Sequence, residues 1–481
     1  MKQLVALVGF AIITGSPAAF AVTDAEFQQL KEQFQAVSDR LAKIEAQNAE
    51  VQAENAAIQA ELDAAQSVND VSLEARVNTL ETSTKKMSWA ERIKLKGDFR
   101  FRYQNDDVSG RLATTAPYTA NDTTRNRERI RARVAVIGKV SDSVEMGFGL
   151  ATGGDDPVSS NQTLGGGGSS KAVQLDLAYV DWNFAEGAQF SLGKFTNQFF
   201  RPGKNGLVWD SDWRPEGFDL NYKTSAFYFN GLGTWLEGDS NSDLGTKFTW
   251  GVQGGFTPEV GIAKFNLGAS YFNIKSEGLS CYDAPSNDKG GNGEGRGCFG
   301  NTAVESGTTN LVPGKTGAVY AMNYAPAELY ATVDFDTDLP FGFFADYIQN
   351  LDAKPVPSGP SQGKKLDTAY ALGVYLGKSG GFNDWVVKLS YQDKDADAVL
   401  GLLTDSDFGG GGTDSKGWVG AVQYGLAKQS YIQLTYFDTE RKDSNGVESG
   451  KPEIPRPAGS SFNSNPFDVN TLQLDIQFKT K

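Results

Sequence analysis

The chain of 481 residues contains 55 glycines and 11% aromatic residues, and it has no histidine. The lack of histidine excludes Ser-His-Asp and Cys-His catalysis and imidazole-ligated zinc, and two cysteines are too few for an Fe–S cluster or a four-thiolate zinc site. A net charge of −14 is unsuited to nucleic-acid binding, which requires a basic surface. Composition therefore disfavours an enzyme and a protein with a bound metal or cofactor.

The first 21 residues have the pattern of a secretory signal peptide. Lys2 precedes an apolar stretch over 4–13, and the segment ends in Ala19, Phe20 and Ala21, the small-x-small pattern that signal peptidase accepts. The apolar stretch is too short to cross a bilayer, which requires about 20 residues. Residues 1–21 are therefore predicted to be removed on export, and no later run is apolar enough to predict a transmembrane helix.

A seven-residue repeat follows at 27–80 and predicts one long helix within a domain of residues 22–88. The first seam position holds Phe27, Phe34, Leu41, Asn48, Asn55 and Leu62, and the second holds Leu30, Val37, Ile44, Val51, Ile58 and Ala65. Such an apolar stripe requires a partner helix, and the pattern favours a parallel homo-oligomeric coiled coil. An antiparallel hairpin is the alternative, although no turn signal interrupts the repeat.

Beyond Trp89 the hydrophobic pattern changes to a period of two residues. From Ile93 to Gln104, apolar residues alternate with charged or polar ones, and similar segments recur as far as Phe478. Segments of about ten alternating residues separated by turn residues are typical of transmembrane β-barrels. Residues 89–481 are therefore predicted to form an all-β, antiparallel outer-membrane barrel.

The connections between these segments alternate in length, which a soluble β-sandwich does not require. Short turns are predicted at 141–143, 185–188, 224–225, 257–261, 337–340, 378–381 and 427–429. Long loops are predicted at 105–124, 153–171, 198–215, 237–245, 275–326, 351–365, 395–415 and 442–467. Short periplasmic turns and longer extracellular loops are the barrel pattern, and they predict about sixteen strands. Residues 318–324 also alternate, but they are assigned to the fifth loop because a further strand would make the count odd.

Six arginines on the first two strands are predicted to line the lumen. Alternate residues of a strand point to the same face, so these basic side chains lie opposite the apolar ones. They are Arg100, Arg102, Arg127, Arg129, Arg131 and Arg133. Together they would form a basic wall that attracts anions. The alternative is that Asp98, Glu128 and Asp176 pair with the arginines and cancel the wall, so the ion preference stays open.

The third long loop reads FRPGKNGLVWDSDWRP and mixes charges of both signs around two tryptophans. Its charged residues are Arg201, Lys204, Asp210, Asp212 and Arg214. Folded inward, this loop would place acids opposite the arginines and narrow the pore, whereas folded outward it would be an ordinary surface loop. The glycine runs at 165–168 and 409–412 are interpreted as flexible loop tips.

Two further groups in the long loops have defined chemistry. Cys281 and Cys298 both lie in the fifth loop, and export to an oxidising compartment predicts a disulfide that restrains the unfolded loop by about 3 kcal/mol. Asp393, Asp395 and Asp397 resemble the start of a calcium loop, but the glycine and the bidentate glutamate that such a loop requires are missing. No metal site is therefore predicted.

Two short motifs lie on neighbouring predicted strands, AYVDW at 178–182 and SLGKF at 191–195. They resemble a strand pair of general and phosphate-selective porins, and the whole chain resembles a group of Gram-negative outer-membrane porins with an N-terminal periplasmic coiled coil. The resemblance implies a homotrimer of 16-stranded barrels, each with a diffusion pore that an inward loop narrows. It also implies that Lys194 belongs to the basic wall, with Asp210 and Asp212 as the facing acids. Porins usually end in an aromatic residue, whereas here Phe478 is followed by Lys, Thr and Lys.

These observations predict an outer-membrane porin of a Gram-negative bacterium, a passive channel for ions and small hydrophilic solutes without enzymatic activity or cofactor. The expected partners are outer-membrane lipid, lipopolysaccharide, further copies of the chain in a homotrimer, and the diffusing solutes, but no nucleic acid. The coiled coil would lie in the periplasm. The alternative function is a structural tether, in which the barrel anchors a periplasmic rod, and an open lumen distinguishes the two.

Overall fold

The computed structural model describes residues 35, 40, 43, 44, 46–58, 92–110, 122–154, 156–238, 246–279, 298–305, 318–357, 361–442 and 466–480. The chain divides into two compact units, Met1–Trp89 and Ala90–Lys481. In the first unit residues 46–58 are helical, and the seam residues Ile44, Val51 and Ile58 are exposed in the single chain. The predicted signal peptide and most of the heptad repeat lie outside the described residues. Within the described ranges, no helix is both long and apolar enough to cross a membrane.

Sixteen long strands form the sheet of the second unit. They are β1 (Ile93–Ser109), β2 (Thr123–Lys139), β3 (Val144–Thr152), β4 (Val173–Ala185), β5 (Ala188–Lys194), β6 (Glu216–Lys223), β7 (Phe227–Glu237), β8 (Lys247–Phe256), β9 (Ala263–Asn273), β10 (Pro326–Phe335), β11 (Phe341–Asn350), β12 (Thr368–Gly377), β13 (Trp385–Lys394), β14 (Ser415–Ala427), β15 (Ser430–Arg441) and β16 (Phe467–Lys479). Two strands of two residues, Gln162–Thr163 and Glu259–Val260, extend the same sheet.

The sheet closes on itself. Each long strand pairs antiparallel with its neighbours along the chain. β1 also pairs with β16, where Phe99 opposes Phe478 and Arg102 opposes Asp475. Closure leaves no strand edge unpaired, which is the condition for crossing a bilayer with strands. The predicted 16-stranded antiparallel barrel is therefore confirmed.

The two faces of the barrel have the opposite polarity to those of a soluble protein. Leu95, Phe99 and Val134 project outward and are 62%, 43% and 46% exposed, whereas Arg102 and Gln473 project inward and are almost fully buried. Alternate residues point to opposite faces of a strand, so each strand contributes to both surfaces. An apolar exterior around a polar interior suits a barrel that has lipid outside and water inside.

The connections alternate in length as predicted, because successive strands run in opposite directions and the short turns all lie at one end. The long connections 153–172, 195–215, 274–325 and 395–414 are called L2, L3, L5 and L7 below. Residues 318–324 belong to L5, as expected. Ala318–Tyr320 pairs with Ala303–Glu305 in a small separate sheet, so this segment adds no strand to the barrel.

The main apolar core lies between the barrel wall and loops that fold inward. Trp209 and Trp213 of L3 stack with their ring centroids 4.5 Å apart, and Trp209 meets Phe272 of β9 edge-on at 4.9 Å. Tyr324 of L5 and Leu400 of L7 are buried in the same cluster. L3 therefore folds inward, which is the first of the two arrangements that its sequence allows.

Candidate pore

Six arginines lie side by side on the inner face of β1 and β2. The strand register places Arg100 opposite Arg131, and Arg102 opposite Arg129. We call this group the arginine wall: Arg100, Arg102, Arg127, Arg129, Arg131 and Arg133. The period of two residues in each strand directs all six towards the lumen.

Arg102 binds two carboxylates at once. Its Nε donates to Asp475 Oδ1 at 2.7 Å and its Nη2 to Asp475 Oδ2 at 2.8 Å, a bidentate pair with the neighbouring strand β16. Its Nη1 donates to Asp407 of L7 at 2.9 Å. Arg127 forms a further ion pair within the wall, with Asp106 of β1. These two guanidiniums are therefore neutralised locally.

Arg131 and Arg133 share two carboxylates. Arg133 lies 2.7 Å from Asp98 and 3.0 Å from Asp212, and Arg131 lies 3.2 Å and 3.3 Å from the same two side chains. Burial opposes ionisation of Asp212, but the guanidiniums of Arg131 and Arg133 hold its pKa below the usual range of an aspartate. Asp98 is one of the acids that the sequence offered as a partner of the wall, and Asp212 comes from L3.

Two members of the arginine wall keep more of their charge available. Arg100 Nη2 donates to Asn161 Oδ1 at 2.6 Å, and the Arg100 guanidinium is 3.9 Å from the carboxylate of Asp475. Arg129 Nη1 donates to Gln104 Oε1 at 3.0 Å, and it has no ion pair within the described part of the chain. The wall is thus largely, but not completely, neutralised.

Lys194 and Arg214 form ion pairs of their own, apart from the arginines of β1 and β2. Lys194 Nζ lies 2.6 Å from Glu216 Oε1, its register partner on β6. Arg214 Nε lies 3.3 Å from Asp176 Oδ2, and Asp176 is an acid that the sequence offered as a partner of the wall. Lys194 therefore has an acid partner of its own, and it lines the same cavity as Asp212, which pairs with Arg131 and Arg133.

L3 is fastened to L7 inside the barrel. The backbone N–H of Asp210 donates to the carbonyl oxygen of Leu403 at 2.8 Å, and Asp210 Oδ2 accepts from the N–H of Ser406 at 3.2 Å. Burial, together with the nearby charge of Asp405, raises the pKa of Asp210. The two inward loops therefore form one assembly, which carries Asp212 and Asp407 to the arginine wall.

The contribution of L7 was not predicted from the sequence. Burial opposes ionisation of Asp407, but Arg102 and Arg129 hold its pKa below the usual range. The interpretation of 409–412 as a flexible tip is wrong, because this run is packed against L5. Gly412 has a φ of +83°, and a Cβ at this position would lie 2.1 Å from the carbonyl oxygen of Phe299. The dense glycine run was the one available signal of a tightly packed turn.

The structure describes part of the cysteine pair and of the calcium-like aspartate pattern that the sequence predicted in the loops. Cys298 is disulfide-bonded, and the other cysteine of the chain, Cys281, lies outside the described residues. Asp393 and Asp395, at the start of the calcium-like pattern, each lie 2.7 Å from Lys442 Nζ. These two carboxylates therefore neutralise a lysine.

Two cavities border L3 and L7. One of about 710 Å³ extends towards the short turns and is lined by L3 and by inner residues of β10 to β15. The other, of about 390 Å³, extends towards the long loops and is lined by L2, L3 and L7. The inward loops thus leave space in the lumen on both of their sides.

The barrel matches a known family. Residues 106–276 and 301–480 match the model of the family described as "Putative porin". The chain belongs to this porin family. Family membership makes this porin an outer-membrane channel protein. No curated protein sequence matches it.

Several solved structures are similar to this porin. OprB of Pseudomonas putida is 11% identical with a TM-score of 0.46, covering 82% of this chain and 96% of that chain. OmpF of Salmonella typhi, in a complex with daunomycin, is 13% identical with a TM-score of 0.42, covering 80% of this chain and 97% of that chain. A triple mutant of the Rhodopseudomonas blastica porin is 12% identical with a TM-score of 0.40, covering 80% of this chain and 100% of that chain.

Proposed function

We propose that this porin forms a water-filled channel for the passive diffusion of ions and small hydrophilic solutes, without turnover chemistry. The observation that carries the proposal is the polarity of the closed barrel, which is charged and polar inside and apolar outside. The cavities of about 710 Å³ and 390 Å³ supply space for water and solutes on both sides of L3 and L7. These loops would form the narrow part of the channel.

We expect the arginine wall to give a weak preference for anions. Asp98, Asp212, Asp407 and Asp475 neutralise much of its charge. Closely spaced charges of both signs produce a strong local field with little net potential, so they orient a passing solute more than they select its sign. The remaining preference would come chiefly from Arg129, which donates a hydrogen bond to the neutral side chain of Gln104.

The assembly that we propose is a homotrimer joined in part by the N-terminal helices in the periplasm. Ile44, Val51 and Ile58 follow the heptad spacing and are 55%, 54% and 42% exposed in one chain. Helices from other copies would bury this seam. The apolar outer face of the barrel would contact outer-membrane lipid, with lipopolysaccharide at the end that carries the long loops.

Single-channel recording in planar bilayers tests the proposal. We expect conductance steps in groups of three and, in a KCl gradient, a reversal potential that favours chloride slightly. A preference for cations would keep the channel but assign the selectivity to the acids of L3 and L7. Absence of conductance in protein that has folded, as judged by its heat-modifiable migration in gels, would reject the channel and favour the structural tether.

A further inference from the structure

One part of the lumen wall, formed by β11 to β15, carries apolar side chains on its inner face. Phe344, Val386, Val419 and Phe437 line the cavity of about 710 Å³ on this side, and Phe200 of L3 lines it from the loop. The interior of a transmembrane barrel is ordinarily polar. We call this cavity the apolar chamber. Its apolar side chains offer a surface that can contact the hydrocarbon part of a solute.

Among the residues that the structure describes, three lysines line the apolar chamber without an acid partner: Lys204, Lys378 and Lys388. Within the described part of the chain, neither Lys204 of L3 nor Lys388 of β13 has an ion pair or a side-chain hydrogen bond. Arg201, which also lines the chamber, donates to the carbonyl oxygens of Asn205 and Trp209 at 3.5 Å and 3.3 Å. The positive charge of Lys204 and Lys388 is therefore available to a solute.

The acids that line the same chamber bind donors of the chain itself. Asp334 accepts from the hydroxyl of Tyr375 at 2.7 Å, and Asp384 accepts from the N–H of Gly381 at 2.7 Å. Asp405 accepts from two backbone N–H groups of L7 at 2.7 Å and 3.2 Å. Among the described residues, none of these three carboxylates forms an ion pair with Lys204 or Lys388.

The backbone of L3 places Lys204 at the chamber. Gly203 and Lys204 have φ angles of +57° and +61°, a conformation that is uncommon for lysine. A Cβ on Gly203 would lie 2.2 Å from the ring of Phe344, so the loop is pressed against the chamber wall. Asn205 Nδ2 then donates to Asp346 Oδ2 of β11 at 2.8 Å. Gly203 and Asn205, the residues on either side of Lys204, therefore both contact β11 and hold this turn in place.

We propose that the apolar chamber binds organic anions that carry a carboxylate on an aromatic or aliphatic body. The ammonium groups of Lys204 and Lys388 bind the carboxylate, and Phe344, Val386 and Phe437 cover the apolar body. The proposal rests on the channel function and names a class of solute for it. An inorganic anion would leave the apolar side chains in water, and a neutral sugar would leave the two ammonium groups without a counter-charge. A cavity of this volume that combines apolar side chains with charged groups is typical of small-molecule sites.

Block of the single-channel current tests this site, with benzoate as the probe. Acetate has the carboxylate without the ring, and benzyl alcohol has the ring without the charge. We expect benzoate to reduce the open-channel current at concentrations roughly tenfold lower than either of the two fragments requires, because it alone makes both kinds of contact.

Variants of the two lysines test whether benzoate blocks the current by binding in the chamber. Lys204→Asn and Lys388→Gln each remove one ammonium, and asparagine tolerates the left-handed backbone of L3. We expect each variant to weaken the benzoate block roughly tenfold, the factor for losing a hydrogen bond to a charged group. Lys204→Arg keeps the charge and should keep most of the block. Lys171→Gln, which removes a half-buried lysine of L2 that does not line the chamber, is the matched control and should leave the block unchanged.

The outcomes separate this proposal from the channel function. Equal block by benzoate and acetate, or an unchanged block in both lysine variants, would overturn the proposal while the conductance steps persist. Absence of conductance in the wild-type protein would reject the channel instead. Equilibrium dialysis of labelled benzoate with detergent-folded protein then still tests the site, since binding that does not decrease in Lys204→Asn and Lys388→Gln contradicts it.

Discussion

The arginine wall and the apolar chamber face the same lumen, yet their charges are arranged in opposite ways. In the wall, acids lie directly against the guanidiniums, and Asp475 is 2.7 Å from Arg102. In the chamber, Lys204 and Lys388 have no ion pair with any residue that the structure describes. Ion pairs therefore reduce the charge that the six arginines present to a solute, whereas the two lysines keep theirs. The partners of the basic residues, more than their number, determine the field in the lumen.

The largest effect is expected when the acids that the loops supply to the arginine wall are removed. The double variant Asp212→Asn with Asp407→Asn takes a carboxylate away from Arg102, Arg131 and Arg133. The wall should then resemble the chamber, and the chloride-to-potassium permeability ratio should rise roughly tenfold, since the local field becomes positive. The reversal potential in a KCl gradient measures this ratio.

The matched control for the double variant is Asp142→Asn, in the turn between β2 and β3. Asp142 pairs with Lys139 at 3.2 Å and its side chain is fully exposed to solvent, so the permeability ratio should stay within about twofold. An unchanged ratio in the double variant itself would show that ions do not pass the arginine wall.

Stability should distinguish the paired cations from the unpaired ones. Arg102→Gln leaves Asp407 and Asp475 without their shared cation, and we expect the free energy of unfolding to fall by about 3 kcal/mol. Lys388→Gln breaks no ion pair and should change it by less than about 0.5 kcal/mol. Unfolding in guanidinium chloride, followed by tryptophan fluorescence, measures both, and equal losses would contradict the difference between the two regions.

The loops that neutralise the wall should be held less firmly as the pH rises. Burial raises the pKa of Asp397 in L7 to about 6, against hydrogen bonds from Thr302 and Tyr324, and the charge of Asp414 adds to the increase. The folded pKa lies above the ordinary value of 3.8. The stabilisation of the folded state by neutral Asp397 is therefore complete below about pH 4 and is lost as the pH rises through about 6, an effect of about 3 kcal/mol.

Asp397→Asn keeps the shape of this contact and removes its titration. Unfolding of the wild-type protein between pH 4 and pH 7 should show the loss, whereas the variant should show a smaller dependence on pH over the same range. Identical pH profiles of the two proteins would show that Asp397 does not link L5 to L7 in the way described.

The smallest effect is expected for Lys194, which the resemblance to porins placed in the basic wall. Its ion pair with Glu216 is partly exposed, with side-chain exposures of 27% and 63%. Lys194→Gln should change the free energy of unfolding by less than about 0.5 kcal/mol. The permeability ratio should also stay unchanged because Glu216 neutralises Lys194, and a clear shift towards cations would show that Lys194 attracts anions in the cavity that it lines.

The sequence by itself determined the barrel, because the pattern that encodes a strand is local. A period of two residues along β1 separates Phe99 on the outer face from Arg100 and Arg102 on the inner face. The alternation of short turns and long loops determined sixteen strands and excluded 318–324 from the wall. Each of these properties follows from residue patterns along the chain, without knowledge of which distant residues come into contact.

Only the tertiary structure decided which charges the lumen presents. Asp212 lies 81 residues from Arg131 in the sequence, and Asp407 lies 305 residues from Arg102, yet each forms an ion pair with that arginine inside the barrel. L3 and L7 have no regular period that could predict these contacts. Their paths depend on how their apolar side chains pack together in the space that the closed barrel encloses, and that packing becomes defined when the whole wall has formed.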